Sequence, residues 1–258
     1  MVFVLFSVGL AVGLFISMLL FLEVGRRLGV RRLAERGSAD NAGVGVVDGA
    51  VYGLLALLIG FTFSGAADRF DRRRHLIAEE KNAAETAWLR VSIMPPDLQP
   101  PIRTHFREYM DAIIAYYAQN PSREVALNES SAMTNARADL WAATVPACRR
   151  PEEQNSCQLF LPALNEMFDA VDMERMTRRI HPPFVIFVML GVAALATALF
   201  AGYGMAGGRK RNVVYMIGIA ATVAIAAYVI IELEYPRVGL IRVSAMDQVL
   251  VELRESMH

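Results

Sequence analysis

The apolar residues of this chain follow two different patterns. In four stretches, 1–22, 49–67, 182–208 and 212–231, they run on without one charged residue. Over 68–181 they recur instead at helical spacing among charges. Phe70, Ile77, Ala84, Trp88 and Val91 make one stripe, and Ile102, Phe106, Tyr109, Met110, Ile113 and Tyr117 a second. Phe160, Leu164, Met167, Phe168 and Val171 make a third, with a weaker pattern around Met133, Ala136 and Leu140. Residues at that spacing lie along one side of a helix. Strand-like alternation, internal repeats and low-complexity tracts are not found.

A helix needs about 20 apolar residues to cross the hydrocarbon layer, and each uncharged stretch is of that order. Backbone groups find no water there and must pair within the segment, so all four are predicted to be helices. The first has no charge before Glu23 and no small-residue cleavage site after its apolar run, which predicts a retained span rather than a secretory leader. The expected fold is an all-α integral membrane protein with four transmembrane helices and a helical extramembrane insert. Residues 1–67 are the first transmembrane pair, 68–181 the insert, and 182–258 the second pair with a C-terminal tail.

Punctuation agrees with this division. Pro95-Pro96, Asn120-Pro121 and Pro146 end the successive insert helices, and Pro182-Pro183 resets the chain before the third span. A loop over 23–48 is expected between the first two spans, and a tighter basic turn over 207–212 between the last two. Between Ala67 and Met94 there is no Gly or Pro, so the second span is expected to continue unbroken into the first insert helix.

Composition sharpens this picture. A mean hydropathy of +0.35 is too high for an ordinary soluble domain. The 26 basic and 26 acidic residues cancel, and no nucleic-acid partner is expected. The insert carries 17 acidic and 15 basic residues, consistent with an extramembrane position.

Charges near the spans bear on sidedness. Five arginines between Arg26 and Arg36 follow the first span, and Arg209-Lys210-Arg211 precede the fourth, with Glu232 and Glu234 after it. Basic flanks prefer the cytoplasm, so both put the insert outside. Arg69, Arg72, Arg73 and Arg74 at the insert end of the second span point the other way. Cys148 and Cys157 flank a short hydrophilic loop that a disulfide would close in an oxidising compartment; two free thiols are the alternative. The reading leans to an extracytoplasmic insert on a multi-pass protein of the plasma (inner) membrane.

Candidate chemistry is thin. The histidines, His75, His105, His181 and His258, lack the spacing to acidic or cysteine ligands that a metal needs, and Glu79-Glu80 are adjacent and so point to different helix faces. No catalytic group, cofactor or metal is expected, so the chain is not read as an enzyme. Gly202-Tyr203-Gly204-Met205-Ala206-Gly207 fits G-x-G-x-x-G, but it follows a membrane helix where a dinucleotide site needs a strand. It is read as a helix end. Gly49 and Gly53 form a small-x-x-x-small pair that permits close helix packing.

The second span says more. Gly53, Leu57, Phe61, Gly65 and Asp68 share one helix face. In a ring of copies that face would line a pore, with Leu57 and Phe61 as an apolar constriction. Packing or lipid contact is the other reading of the same periodicity. Asp68 would add a selectivity ring or an interfacial ion pair, and Arg69, on a different face, a partner for Asp68 of a neighbouring copy.

Leu58-Ile59-Gly60-Phe61, then Asp68-Arg69-Phe70, then the arginine-rich run to Trp88-Leu89-Arg90, resemble the bestrophin family of ion channels, in a bacterial bestrophin-like branch. About 45 residues carry the likeness closely, and the plan of two spans, helical insert and two spans carries the rest. The resemblance implies a homopentamer with the second helix innermost and an apolar neck at Gly53, Leu57 and Phe61, Gly53 being smaller than a gate residue. It implies a cytoplasmic insert, against the charge and cysteine reading. The acidic calcium clasp of animal bestrophins has no counterpart, since only Glu232 and Glu234 follow the fourth span. Two functions remain: an oligomeric channel passing ions across the lipid bilayer, or a non-conducting membrane-anchored sensor or scaffold whose insert binds a ligand or partner.

Overall fold

The computed structural model describes residues 2–36, 44–118, 131–178, 180–207, 212–236, 239–240 and 244–258. Among them lie eight α-helices and no strand: α1 (Val2–Arg36), α2 (Val44–Val91), α3 (Gln99–Ala118), α4 (Ser131–Thr144), α5 (Gln154–Arg178), α6 (Phe184–Gly204), α7 (Val213–Glu234) and α8 (Ser244–Ser256). Four of them, α1, α2, α6 and α7, are long and apolar enough to cross a membrane. The all-helical, four-span reading of the sequence is therefore the observed architecture.

Two compact units divide the chain. The first holds residues 1–70 and 181–241, the second 71–180 and 242–258. The unbroken helix α2 belongs to both, with Phe70 in the first unit and Asp71 in the second. No proline interrupts its 48 residues.

In the first unit α1 packs along α6 and α7. The core between them is built from Met18 and Leu22 of α1, Leu55 and Ala66 of α2, Leu190, Ala194 and Ala198 of α6, and Met216 and Ala220 of α7. Pro183 caps the start of α6, where the missing amide hydrogen costs nothing. Asn212 starts α7 by accepting a hydrogen bond from the Tyr215 amide at 3.2 Å.

Three expectations need correcting. The loop expected over 23–48 is helical as far as Arg36, so Arg26, Arg27, Arg31 and Arg32 extend α1. Glu23 sustains that extension by binding Arg26 at 3.0 Å and Arg27 at 2.9 Å, three and four residues on. Within the chain the glycines at backbone contact are not Gly49 and Gly53, where an added Cβ meets no atom within 4 Å, but Gly25 and Gly29 of α1 with Gly202 of α6. A Cβ on Gly25 would overlap the Leu199 carbonyl, one on Gly29 would lie 2.7 Å from the Tyr203 oxygen, and one on Gly202 would overlap the Leu22 carbonyl. Gly25 and Gly29 thus form the small-residue seam that brings two membrane helices to backbone contact. Finally, the tail read after the fourth span contains α8, whose Leu250 and Leu253 are buried, as is Met257 just beyond it. Its Arg254 binds Asp111 of α3 at 2.8 Å.

The second unit closes around aromatic residues. Trp88 of α2 meets Phe106 of α3 edge-on at 5.5 Å, and Tyr109 of α3 meets Phe168 of α5 at 5.3 Å. Arg137 of α4 covers Phe168 and binds Asp172 at 2.8 Å. The residues of the three sequence stripes supply this core: Ile77, Ile102, Phe106, Ile113, Phe160, Leu164 and Met167 are all buried.

Candidate pore helix and its buried anchor

Helix α2 has two unlike faces within the chain. Leu55 and Ala66 face the core at 4% and 0% exposure, whereas Leu57 and Phe61 are 52% and 68% exposed. An added Cβ at Gly53 or Gly60 meets nothing within 4 Å. Asp68 continues the open face and is exposed. The face that the periodicity joined, Gly53, Leu57, Phe61 and Asp68, is thus left open by the other described residues.

Arg69 turns the other way. Its Nε and Nη2 donate to Oε2 of Glu234 at 2.9 and 2.8 Å. The sequence reading paired it with Asp68 of a neighbouring copy; in the structure its guanidinium is held inside the chain. Glu234 ends α7 and is 1% exposed. A carboxylate so removed from water needs charged or hydrogen-bonding partners, and it has them on both oxygens, since Nδ1 of His181 lies 3.1 Å from Oε1. The His181 ring stacks on Tyr235 at 4.9 Å, and Tyr235 touches Phe3 of α1 at 5.1 Å.

Two residues earlier, Glu232 is also buried. It accepts from Ser7 Oγ of α1 at 2.9 Å and from the Leu240 amide. The two glutamates that the sequence left as flanking charges are therefore the polar joints where the ends of the membrane helices meet. Sequence spacing gives no sign of this, because Ser7, Arg69 and His181 lie far from them along the chain.

The second unit holds a further buried polar cluster. Tyr117 donates to Glu80 at 2.7 Å, Glu174 binds Nε of Arg178 at 2.6 Å, and the Arg178 guanidinium lies 4.2 Å over the Tyr117 ring. Glu80 was read from sequence only as a residue beside Glu79; here it is 1% exposed. Cys148 and Cys157 form a disulfide with Sγ atoms 2.06 Å apart, joining the turn after α4 to the start of α5. Gly202 to Gly207 form the end of α6 and a 3₁₀ turn, with Gly202 occupied by the contact to Leu22.

An all-helical membrane protein with two pairs of spans around a helical insert is one recognisable class of fold. A family model for the Bestrophin-like domain matches residues 12–247, and the chain belongs to that family. Crystal structures of two variants of a bacterial bestrophin homologue from Klebsiella pneumoniae are similar to it, with TM-scores of 0.69 and 0.68 at 15% identity. Each comparison covers 94% of this chain and 98% of the other. A third variant gives a TM-score of 0.66 at 14% identity over 92% and 95% of the two chains. At that identity the likeness is one of fold. Among curated proteins none matches.

Proposed function

We propose that this chain is the subunit of a pentameric, passive ion channel in which five copies of α2 surround the axis. The observation that carries the reading is the open face of α2, where Leu57 and Phe61 stand uncovered while Leu55 and Ala66 on the opposite face are buried. Lipid would satisfy the apolar part of that face, but not Asp68 at its end: a carboxylate in line with the stripe favours water or protein. In a ring of five, Leu57 and Phe61 form the neck that gates by dewetting, with Gly53 widening its entrance, and Asp68 forms an acidic ring that favours cations. Bestrophin-like family membership and the bestrophin fold support the same assembly.

Stoichiometry tests this directly. Native electrophoresis or a low-resolution map of detergent-purified protein should give five copies with α2 innermost, and a monomer would end the proposal.

The sensor reading keeps one observation in its favour. Nη1 and Nη2 of Arg178 and the hydroxyl of Tyr116 are buried within the insert without a hydrogen-bonding partner. A small polar ligand there would leave α2 non-conducting and the insert as the active part; its sign would be a thermal shift with ligand and no ion flux.

The side of the insert follows from chemistry that pulls two ways. The Cys148–Cys157 bond favours an oxidising compartment, whereas Arg72, Arg73 and Arg74 at the end of the span favour the cytoplasm. An impermeant thiol reagent applied to intact cells, with and without reductant, separates them.

A further inference from the structure

Within the first unit, one side of α2 borders a cavity of about 610 Å³, a volume that suits a small ligand. Tyr52, Leu55, Ala56 and Ile59 supply the α2 wall, and residues of α6 and α7 complete it. The spacing of those four makes them one helix stripe, about 10 Å long. The two threonines of the wall, Thr197 and Thr222, donate their hydroxyls to the carbonyls of Ala193 and Gly218, at 2.7 and 2.9 Å. Apart from them and from Tyr52 and Tyr215, the lining is aliphatic. Asp48 continues the α2 stripe one turn before Tyr52. It is 8% exposed, and its Oδ1 has no hydrogen-bonding partner. A carboxylate removed from water in this way lacks the partner it needs, and an ionisable side chain in a membrane span is a mark of function.

We propose that the cavity and Asp48 together form a site for an amphiphilic ammonium, with its cationic head on the Asp48 carboxylate and its hydrocarbon between α2, α6 and α7. The carboxylate calls for positive charge, and Tyr52 and Tyr215 offer ring faces that attract ammonium groups. Tyrosine also suits the level of the lipid head groups at the end of a span. An inorganic cation fits less well. It takes several oxygen ligands, and among the described residues no three metal-binding side chains come together. A neutral apolar ligand would fill the cavity and leave Asp48 unpaired, and an anionic one would be repelled by it. A lipid with an ethanolamine head and a free hydrophobic amine both supply the required chemistry. Every residue of the site lies in the first unit of one chain, so binding needs neither conduction nor five copies.

The test uses the full-length protein in a non-ionic detergent, with octyltrimethylammonium, octanol and octyl sulfate as probes. Equilibrium dialysis against a protein-free detergent control should show saturable binding of the ammonium alone. Asp48→Asn keeps the shape and removes the charge, and should weaken that binding at least about tenfold, as loss of a desolvated charge partner does. Gly218→Leu places a side chain in the cavity at a position where an added Cβ meets nothing within 4 Å. It should weaken binding too, while the unfolding temperature stays at the wild-type value. Native mass spectrometry after exposure to phosphatidylethanolamine and phosphatidylglycerol separates the two sources. Phosphatidylethanolamine retained by the wild type and lost from Asp48→Asn assigns the site to a lipid; retention of neither, with octyltrimethylammonium still bound, assigns it to a free amine. Octanol bound as tightly as the ammonium, or an affinity unchanged in either variant, overturns the proposal. Absence of saturable binding overturns it as well, a neighbouring copy of the chain then being the occupant of the cavity.

Discussion

Gly202 of α6 lies against the carbonyl of Leu22 on α1 so closely that a single added carbon would overlap it. Gly25 meets Leu199 in the same way from the other helix. Between membrane helices, where lipid tails are as apolar as leucine, such backbone proximity is a main source of attraction. Gly25→Ala or Gly202→Ala should therefore cost about 1–3 kcal/mol by overpacking. Gly49→Ala, whose added Cβ meets no atom within 4 Å in the chain, should be silent. Thermal unfolding in detergent measures both, and equal effects at Gly25 and Gly49 would refute this account of the seam.

Phe61 is the widest apolar side chain on the open face of α2. Phe61→Ala should raise ion leak into liposomes several-fold if that residue narrows the path, while leaving assembly unchanged in native electrophoresis. Flux no greater than wild type would place Phe61 against lipid.

Asp68 stands beyond the neck on the same face. Asp68→Asn should move the reversal potential in a salt gradient away from the cation equilibrium value, because neutralising the residue removes five charges from the proposed ring at once. An unchanged reversal potential removes Asp68 from permeation.

Burial, followed by the charges of Glu80 and Glu174, holds the Tyr117 hydroxyl well above its ordinary value. Burial raises Tyr109 too. The unfolded chain ionises tyrosine near about pH 10, so the folded state keeps these protons longer. That contribution to stability is complete below about pH 10 and is lost as pH rises through the higher folded value. Unfolding temperature should fall above about pH 10, less steeply in Tyr117→Phe. At neutral pH that variant should lose about 1–3 kcal/mol with its bond to buried Glu80. Identical alkaline slopes would refute the assignment.

The Cys148–Cys157 bond closes a short loop, with a sequence separation of 9. Restricting the unfolded chain over that length is worth about 2–3 kcal/mol, so reductant or Cys157→Ser should lower stability by that amount. No change on reduction would show that the loop is held by other contacts.

The helices themselves were legible along the chain because their cause is local. Uncharged runs long enough to cross a bilayer must satisfy their own backbone, and the insert stripes at Phe106, Tyr109 and Ile113 or Phe160, Leu164 and Met167 carry the helical period in plain view. The face of α2 through Leu57 and Phe61 was legible for the same reason. The extension of α1 past Glu23 was harder to see, since apolarity stops there and the support comes from ion pairs on the helix surface. Helix α8 had its signal in Leu250 and Leu253, short and easily read as tail.

Pairing across the fold is another matter. Nothing in the spacing of residues shows that Gly202 will meet Leu22, or that Glu234 will bind Arg69 and His181, because such contacts depend on which helices come together and how each is rotated. The sequence alone determined which segments are helices and which of them are apolar enough for a membrane, through the one-dimensional demands of hydrogen bonding and hydration. Only the tertiary structure decided which glycines carry the packing and which glutamates are buried, because close approach and desolvation exist only between surfaces already assembled.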